Sequence, residues 1–236
     1  MNEGEFRLQK MTRREFREEL DAGRFNSCII PTGAIEQPLE HLAMEHDWAS
    51  CLHVSHEIAR RLAPHVLVAP VMSVGISEHH MRHIGTMSAM PGSWLAVLFD
   101  AIRSMHQAGF TNILVLNGHG GNMVPGAQAV FEIRQRYRDR KDLLLLSATY
   151  WDQAKIGEAR DDFAQDAMGH AGELETSMMM VIRPDLVGEH QREEVPKGAA
   201  FADSTRGWTT KDRSEPGHIG VPASASAEKG ETLFNI

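Results

Sequence analysis

The sequence predicts an α/β fold with a mainly parallel sheet. Short apolar runs alternate with helix-length segments across the first 150 residues, the pattern of parallel strands covered by helices on both faces. The 236 residues are enough to bury a full core, and neither an internal repeat nor a linker divides them, so a single domain spanning 1–236 is expected. A glycine-rich turn, Gly118-His119-Gly120-Gly121, follows one of the apolar runs directly. Open α/β sheets gather their ligands at such carboxyl strand ends.

Each element has its own signal. Thr12-Arg13-Arg14-Glu15 is a capping box, predicting a first helix from Arg13 to Ala22. Ser27 to Pro31 and Val66 to Val71 read as strands. Between them, Asp47 to Leu62 reads as a helix closed by Pro64. Ser93 to Ala108 is amphipathic, with Gly109 as its stop. Asn112 to Leu116 reads as a buried strand, Met123 to Tyr137 as a helix capped by Asn122, and Leu143 to Ser147 as another strand. Gly172 to Ile182 reads as a helix ended by Pro184. Beyond Asp185 the chain is polar and glycine-rich. Its closing Ala227 to Glu231 reads as a helix barely begun, so the chain is expected to be cut short there or to rest its end on a neighbour. The stretches 72–91 and 150–170 exceed ordinary connections and are expected to be site loops.

Composition excludes several function classes. A net charge of -8 speaks against a nucleic-acid surface, and no apolar run approaches the ~20 residues of a membrane span. Met1 to Lys10 is polar, with no signal-like apolar core. Cys28 and Cys51 are expected as reduced core residues, as in a cytoplasmic protein. Thirteen histidines are the anomaly. They concentrate between His41 and His65 and at His79, His80 and His83. Imidazole is the commonest metal ligand type and the usual acid or base near neutral pH.

Four motifs follow the expected strands: Gly33-Ala34-Ile35-Glu36-Gln37, continuing through Glu40-His41 to His46-Asp47; Glu78-His79-His80; Asn117-Gly118-His119; and Gly169-His170-Ala171-Gly172-Glu173-Leu174-Glu175-Thr176. A parallel sheet brings these ends to one edge. Carboxylates and imidazoles gathered there can bind zinc, and manganese or iron would accept the same donors. Glu175 lies in an apolar helix beside Leu174 and Met178 to Met180, where a buried carboxylate needs a partner. His53 and His56, three apart on a helix, are expected at the surface. The sequence has neither the nucleophile elbow of a serine hydrolase nor a phosphate-binding loop.

Glu36-Gln37, Asp47, Asn117-Gly118-His119-Gly120-Gly121-Asn122 and His170-Ala171-Gly172-Glu173-Leu174-Glu175-Thr176-Ser177 resemble the creatininase (creatinine amidohydrolase) family, from about Ile29 to Ser177. The resemblance implies a three-layer α/β/α fold, a metal site at the sheet edge and a homo-oligomer, hexamer or dimer. It implies hydrolysis of a cyclic amide, a formamide or a related non-peptide C–N bond in a small-molecule substrate. Carried over by position, Glu36, Asp47 and His119 hold a first ion, Asp47 bridges to a second, and Glu175 is a further ligand. His170 becomes a proton donor or orienter near the leaving nitrogen, and Trp151 an aromatic over the substrate. The family's first motif usually reads Glu-Gln-His-Gly-Pro-His; here Pro38 replaces the first histidine and His41 keeps the second. Creatininase also carries a glutamate where Gly121 stands. Two donors to a second ion are therefore missing. Either Glu40, His41 or Glu175 compensates, or the site holds one ion, and a substrate other than creatinine is expected.

The expected chemistry is attack of metal-activated water on a carbonyl, zinc being the first expectation for the cofactor with one or two ions per chain. Glu175 or Glu173 would take the water proton and His170 would protonate the leaving nitrogen. Glycines beside His119 would allow backbone N–H groups near the developing oxyanion. Two alternatives stand beside this reading: a lactonase on the same scaffold, and a metal-binding scaffold oligomer without catalysis.

Overall fold

The computed structural model describes residues 4–153, 162–196 and 207–235. Four parallel strands, β1 (Ser27–Thr32), β2 (Val66–Val68), β3 (Asn112–Asn117) and β4 (Leu144–Thr149), lie in the order β2-β1-β3-β4. Helices α1 (Arg13–Asp21), α2 (His46–Arg61), α3 (Pro91–Gln107) and α4 (Met123–Arg136) precede β4, with the expected capping box at Thr12 and Glu15 opening α1. Short α5 (Tyr150–Gln153), then α6 (Glu173–Ile182), short α7 (Thr210–Arg213) and α8 (Ala227–Asn235) complete the described helices.

Side-chain alternation along the strands builds the three layers. Cys28 and Ile30 of β1, with Ile113 and Val115 of β3, pack into one core with Trp94, Leu98 and Ile102 of α3 and Ala129 and Ile133 of α4. Ile29 and Leu116 face the other way, against Cys51 and Ala59 of α2. The period-2 pleat makes this division unavoidable once both faces are covered. It also separates the two cysteines, since Cys28 belongs to one core and Cys51 to the other; both are free thiols.

The chain leaves β1 toward β2 and returns past it to β3, so the switch point of the sheet lies between β1 and β3. The end of that seam carries a polar row. Thr32, Asn117 and Thr149 are register partners. Thr32 Oγ donates to Asn117 Oδ1 at 3.2 Å, and Asn117 Nδ2 donates to Thr149 Oγ at 3.2 Å and to the His119 carbonyl at 2.8 Å. Asn117 Oδ1 also accepts from the His119 N–H at 3.1 Å. One amide thus fixes the turn that aims His119. Gly118 lets this turn approach α2, since a Cβ there would meet Cys51 Cβ at 2.6 Å and the Asp47 carbonyl at 2.7 Å.

Several expectations are corrected. Strand β2 stops at Val68 rather than Val71, because the chain then turns through Pro70. Asn122 does not cap α4. Its amide is used across loops instead, accepting from Ile76 N–H at 3.0 Å and donating to the Gly33 carbonyl at 3.1 Å. The final segment becomes a helix to Asn235 and packs on α6 of the same chain, where Gly230 makes the approach: a Cβ there would sit 2.1 Å from the Ser177 carbonyl. His53 and His56 are half-buried rather than at the surface, against Phe234 and Phe6. Among the described residues no helix is long and apolar enough to cross a membrane.

Candidate metal centre

The carboxyl ends of the strands open into a cavity of about 620 Å³. Glu36, Asp47, His119, His170 and Glu175 line it, with Trp151 at its wall. Glu36 follows β1, Asp47 opens α2, His119 follows β3, and Glu175 lies in the first turn of α6. The loop 72–91, pinned by bridges from Met72 to Thr32 and from Met87 to Ile35, contributes Ser77, His79 and His80. The counterpart loop 150–170 lies partly outside the described residues.

His119 holds the two deepest carboxylates together. Its Nδ1 is 2.9 Å from Asp47 Oδ2 and 3.3 Å from Glu36 Oε2. Its Nε2 faces the Ile76 carbonyl at 3.0 Å, so that nitrogen must carry a proton. Glu36 and Asp47 are only 2% and 4% exposed. Burial pushes the Glu36 carboxyl upward, but the imidazoles of His119, His80 and His170 together outweigh it and hold it well below its ordinary value. Burial likewise opposes ionisation of Asp47, and the attraction of His46 reverses it. Burial would discharge His119, yet Glu36 and Asp47 raise it well above the ordinary imidazole value. A protonated His119 therefore supplies the positive charge between two carboxylates that a cation would otherwise bring.

The neighbouring imidazoles are oriented in the same way. His170 Nε2 donates to the Gln37 carbonyl at 2.6 Å, leaving Nδ1 3.3 Å from Glu36 Oε1. His80 Nδ1 lies 3.0 Å from Gln37 Nε2 and 2.9 Å from Thr210 Oγ, whose hydroxyl donates to the His79 carbonyl at 2.9 Å, and its Nε2 lies 3.6 Å from Glu36 Oε1. Burial keeps His170 below the ordinary imidazole value and His80 down to about 2, so both are neutral. Burial pushes Glu175 up to about 7, with Asp47 adding to the push and His46 opposing it.

This donor set fits a divalent cation. Three groups of side chains each bring their donor atoms within 4.8 Å of one another: Glu36, His79 and His119; Glu36, His46 and His170; and His46, Asp47 and Glu175. Metal-binding imidazoles generally donate their second N–H to a carbonyl or carboxylate, as His119 and His170 do here to Ile76 and Gln37.

Two sequence-based assignments lie elsewhere. His41 is not in the cluster: its Nε2 bonds Thr176 Oγ at 3.0 Å, its carbonyl accepts from Gly188 N–H at 2.7 Å, and it ties the loop after β1 to α6 and the segment beyond. Glu173 is 0% exposed and does not line the cavity. It pairs with Lys229 of α8 and accepts from Gln165 N–H at 2.8 Å. The reason is helical geometry: residues 173 and 175 lie about 200° apart around α6, so one carboxylate faces the cavity and the other the helix that covers it. Glu40, the other candidate for compensation, is exposed.

Two further side chains reach the cavity or its floor without a local signal that marks them. His46 lies beside Asp47 in the same motif and joins two of the donor groups. Trp208 comes from the polar late segment, which carries no periodic signal. It lines the cavity edge-on to His79, with ring centroids 5.1 Å apart, and Arg213 stands 4.5 Å from its ring centre.

Fold and site together define an α/β protein with a carboxylate–imidazole cluster at the switch-point edge of its sheet, bearing the donors of a divalent-cation site. The sequence profile of the Creatininase family, described as creatinine amidohydrolase, matches residues 9–236. Creatinine amidohydrolase of Pseudomonas putida is 26% identical, over 96% of this chain and 91% of its own. Mycofactocin precursor peptide peptidase of Mycolicibacterium smegmatis is 29% identical, over 87% of this chain and 78% of its own. A solved structure described as "Creatininase Mn" superposes with a TM-score of 0.86 at 24% identity, covering 98% of this chain and 94% of that one. The chain belongs to the creatininase family.

Proposed function

We propose that the protein is a metal-dependent hydrolase that cleaves an amide or related C–N bond in a small substrate. The observation that carries this reading is the buried cluster at the cavity floor, where His119 stands between Glu36 and Asp47 with its far nitrogen tied to the Ile76 carbonyl. Glu36, Asp47 and His119 would hold the cation, zinc or manganese. When bound, such an ion polarises a carbonyl and makes water acidic enough to attack at neutral pH. His170 is suited to move the proton: its Nε2 is committed to the Gln37 carbonyl, burial keeps it neutral, and its Nδ1 faces the cluster. It would accept a proton there and return it to the leaving nitrogen. Trp151 and Trp208 would bracket a flat substrate.

The relatives' names record creatinine for one and a precursor peptide for the other. Pro38 and Gly121 depart from the creatininase pattern, so creatinine is not the favoured substrate. A homo-oligomer finds support in exposed Leu144 and Leu146 on the edge strand β4 and exposed Val124 and Phe131 on α4. The test is a screen of protein loaded with Zn²⁺ or Mn²⁺ against cyclic amides, formamides, lactones and short peptides, beside Glu36→Gln and His119→Ala. Turnover of a C–N substrate that disappears in both variants is expected. Turnover of lactones alone would overturn the C–N assignment, and turnover unaffected by His119→Ala would overturn the site.

A further inference from the structure

We infer that His46, with Asp47 and Glu175, forms a second divalent-cation site, in place of the donors that Pro38 and Gly121 do not supply; this rests on the hydrolase reading above. Asp47 divides its two oxygens. Oδ2 faces His119 Nδ1 at 2.9 Å, and Oδ1 faces His46 Nε2 at 3.1 Å. Glu175 Oε2 lies 3.9 Å from the same His46 nitrogen. The carboxylate of Asp47 is thus shared between two imidazoles, as a bridging ligand must be.

His46 faces the carboxylates of Asp47 and Glu175 through Nε2. It is buried, and its Nδ1 has no hydrogen-bond partner among the described residues. Buried polar side-chain atoms are generally paired, and an exception calls for a reason. His46 also belongs to two of the three donor clusters, the other being that with Glu36 and His170, whose ring centroid is 5.8 Å away. Coordination through Nε2, the nitrogen beside both carboxylates, would account for the position of His46.

Position 121 explains why compensation has to come from α2 and α6. A Cβ at Gly121 would fall 2.0 Å from the Ile76 carbonyl and 2.6 Å from His119 Nε2. The backbone there is closed to a side-chain donor unless the loop that orients His119 moves. Pro38 has no donor atom, Glu40 is exposed, and His41 is committed to Thr176. His46 at the start of α2 and Glu175 in the first turn of α6 are the donors grouped with Asp47 itself.

The test counts ions without needing a substrate. Protein stripped of metal is loaded with Mn²⁺, freed of excess by gel filtration, and measured by elemental analysis and by electron paramagnetic resonance. Two ions per chain with an exchange-coupled spectrum are expected for the unaltered chain. His46→Ala and the less disruptive His46→Asn are expected to retain one ion, with an uncoupled six-line spectrum, and to weaken the second binding step on the order of 100-fold. Circular dichroism confirms that each variant is folded, and if His46→Ala is not, His46→Asn carries the comparison. Two ions retained in the His46 variants would overturn the inference. A single ion in the unaltered chain, lost in His119→Ala but kept in His46→Asn, would also overturn it while leaving the hydrolase reading intact. No ion in any form would overturn both.

Discussion

Replacing Glu173 separates a structural carboxylate from a catalytic one. Its side chain is 0% exposed, pairs with Lys229 of α8 and accepts the Gln165 N–H. Glu173→Ala leaves Lys229 with the Ser224 carbonyl as its remaining hydrogen-bond acceptor, at 2.8 Å, and takes the acceptor from Gln165. Breaking a fully buried pair costs about 3–5 kcal/mol. Lys229 keeps 23% of its side chain in water, which lowers that figure, while the stranded amide adds about 1 kcal/mol. The expected loss is about 3 kcal/mol. With a urea slope of roughly 2–3 kcal/mol/M for a chain of this size, the unfolding midpoint falls by about 1 M. Glu173→Gln keeps an acceptor for Gln165 and should lose about half as much. Urea denaturation followed by circular dichroism measures both, and bound metal is counted in parallel, which should stay unchanged. A Glu173→Ala protein within ~0.5 kcal/mol of the original but depleted of metal would refute this placement and return Glu173 to the site.

Two further outcomes follow from the same geometry. Gly121→Ala should displace the loop at Ile76 or the ring of His119, given a clash at 2.0 Å from the Ile76 carbonyl; overpacking of this kind costs about 1–3 kcal/mol, and loss of the bond that orients His119 should weaken the first ion roughly 10–100-fold, read by calorimetric titration. Acid should destabilise the protein through His41. Burial, aided by the charges of His190, His218, Arg192 and His46, depresses it from 6.5 to about 4. The unfolded chain therefore binds the proton first, and stability is lost as pH falls from 6.5 toward 4, by up to about 3 kcal/mol; His41→Gln should flatten that part of the urea-midpoint profile, and an unchanged slope would show that His41 is not the group responsible.

Local signals were enough for β1, β3 and β4 and for α1 to α4 and α6. The capping box at Thr12 and Glu15 and the glycine stop at Gly109 act within one turn of chain, and α1 and α3 end within two residues of their expected limits. The apolar runs around Ile29 and Val115 had to become strands covered on both faces, because each buries alternate residues on both sides. That arrangement gathers Glu36, Asp47, His119 and Glu175 at one edge, so their meeting was legible from order alone. Assignments that depend on contacts between distant segments were not. Asn122 looked like a cap because its type suits one, yet its amide serves Ile76 and Gly33, 46 and 89 residues away.

The sequence alone therefore determined the α/β fold and the edge at which its chemistry collects, because both follow from short-range periodicity and strand direction. Which of two carboxylates on α6 faces the cavity, which histidine near β1 joins the cluster, and whether position 121 can hold a side chain were decided by the tertiary structure. Those outcomes depend on side-chain direction and on the packing of α8, the 72–91 loop and α2 around the site. Such packing is set by residues far apart in the chain, and no local pattern encodes it.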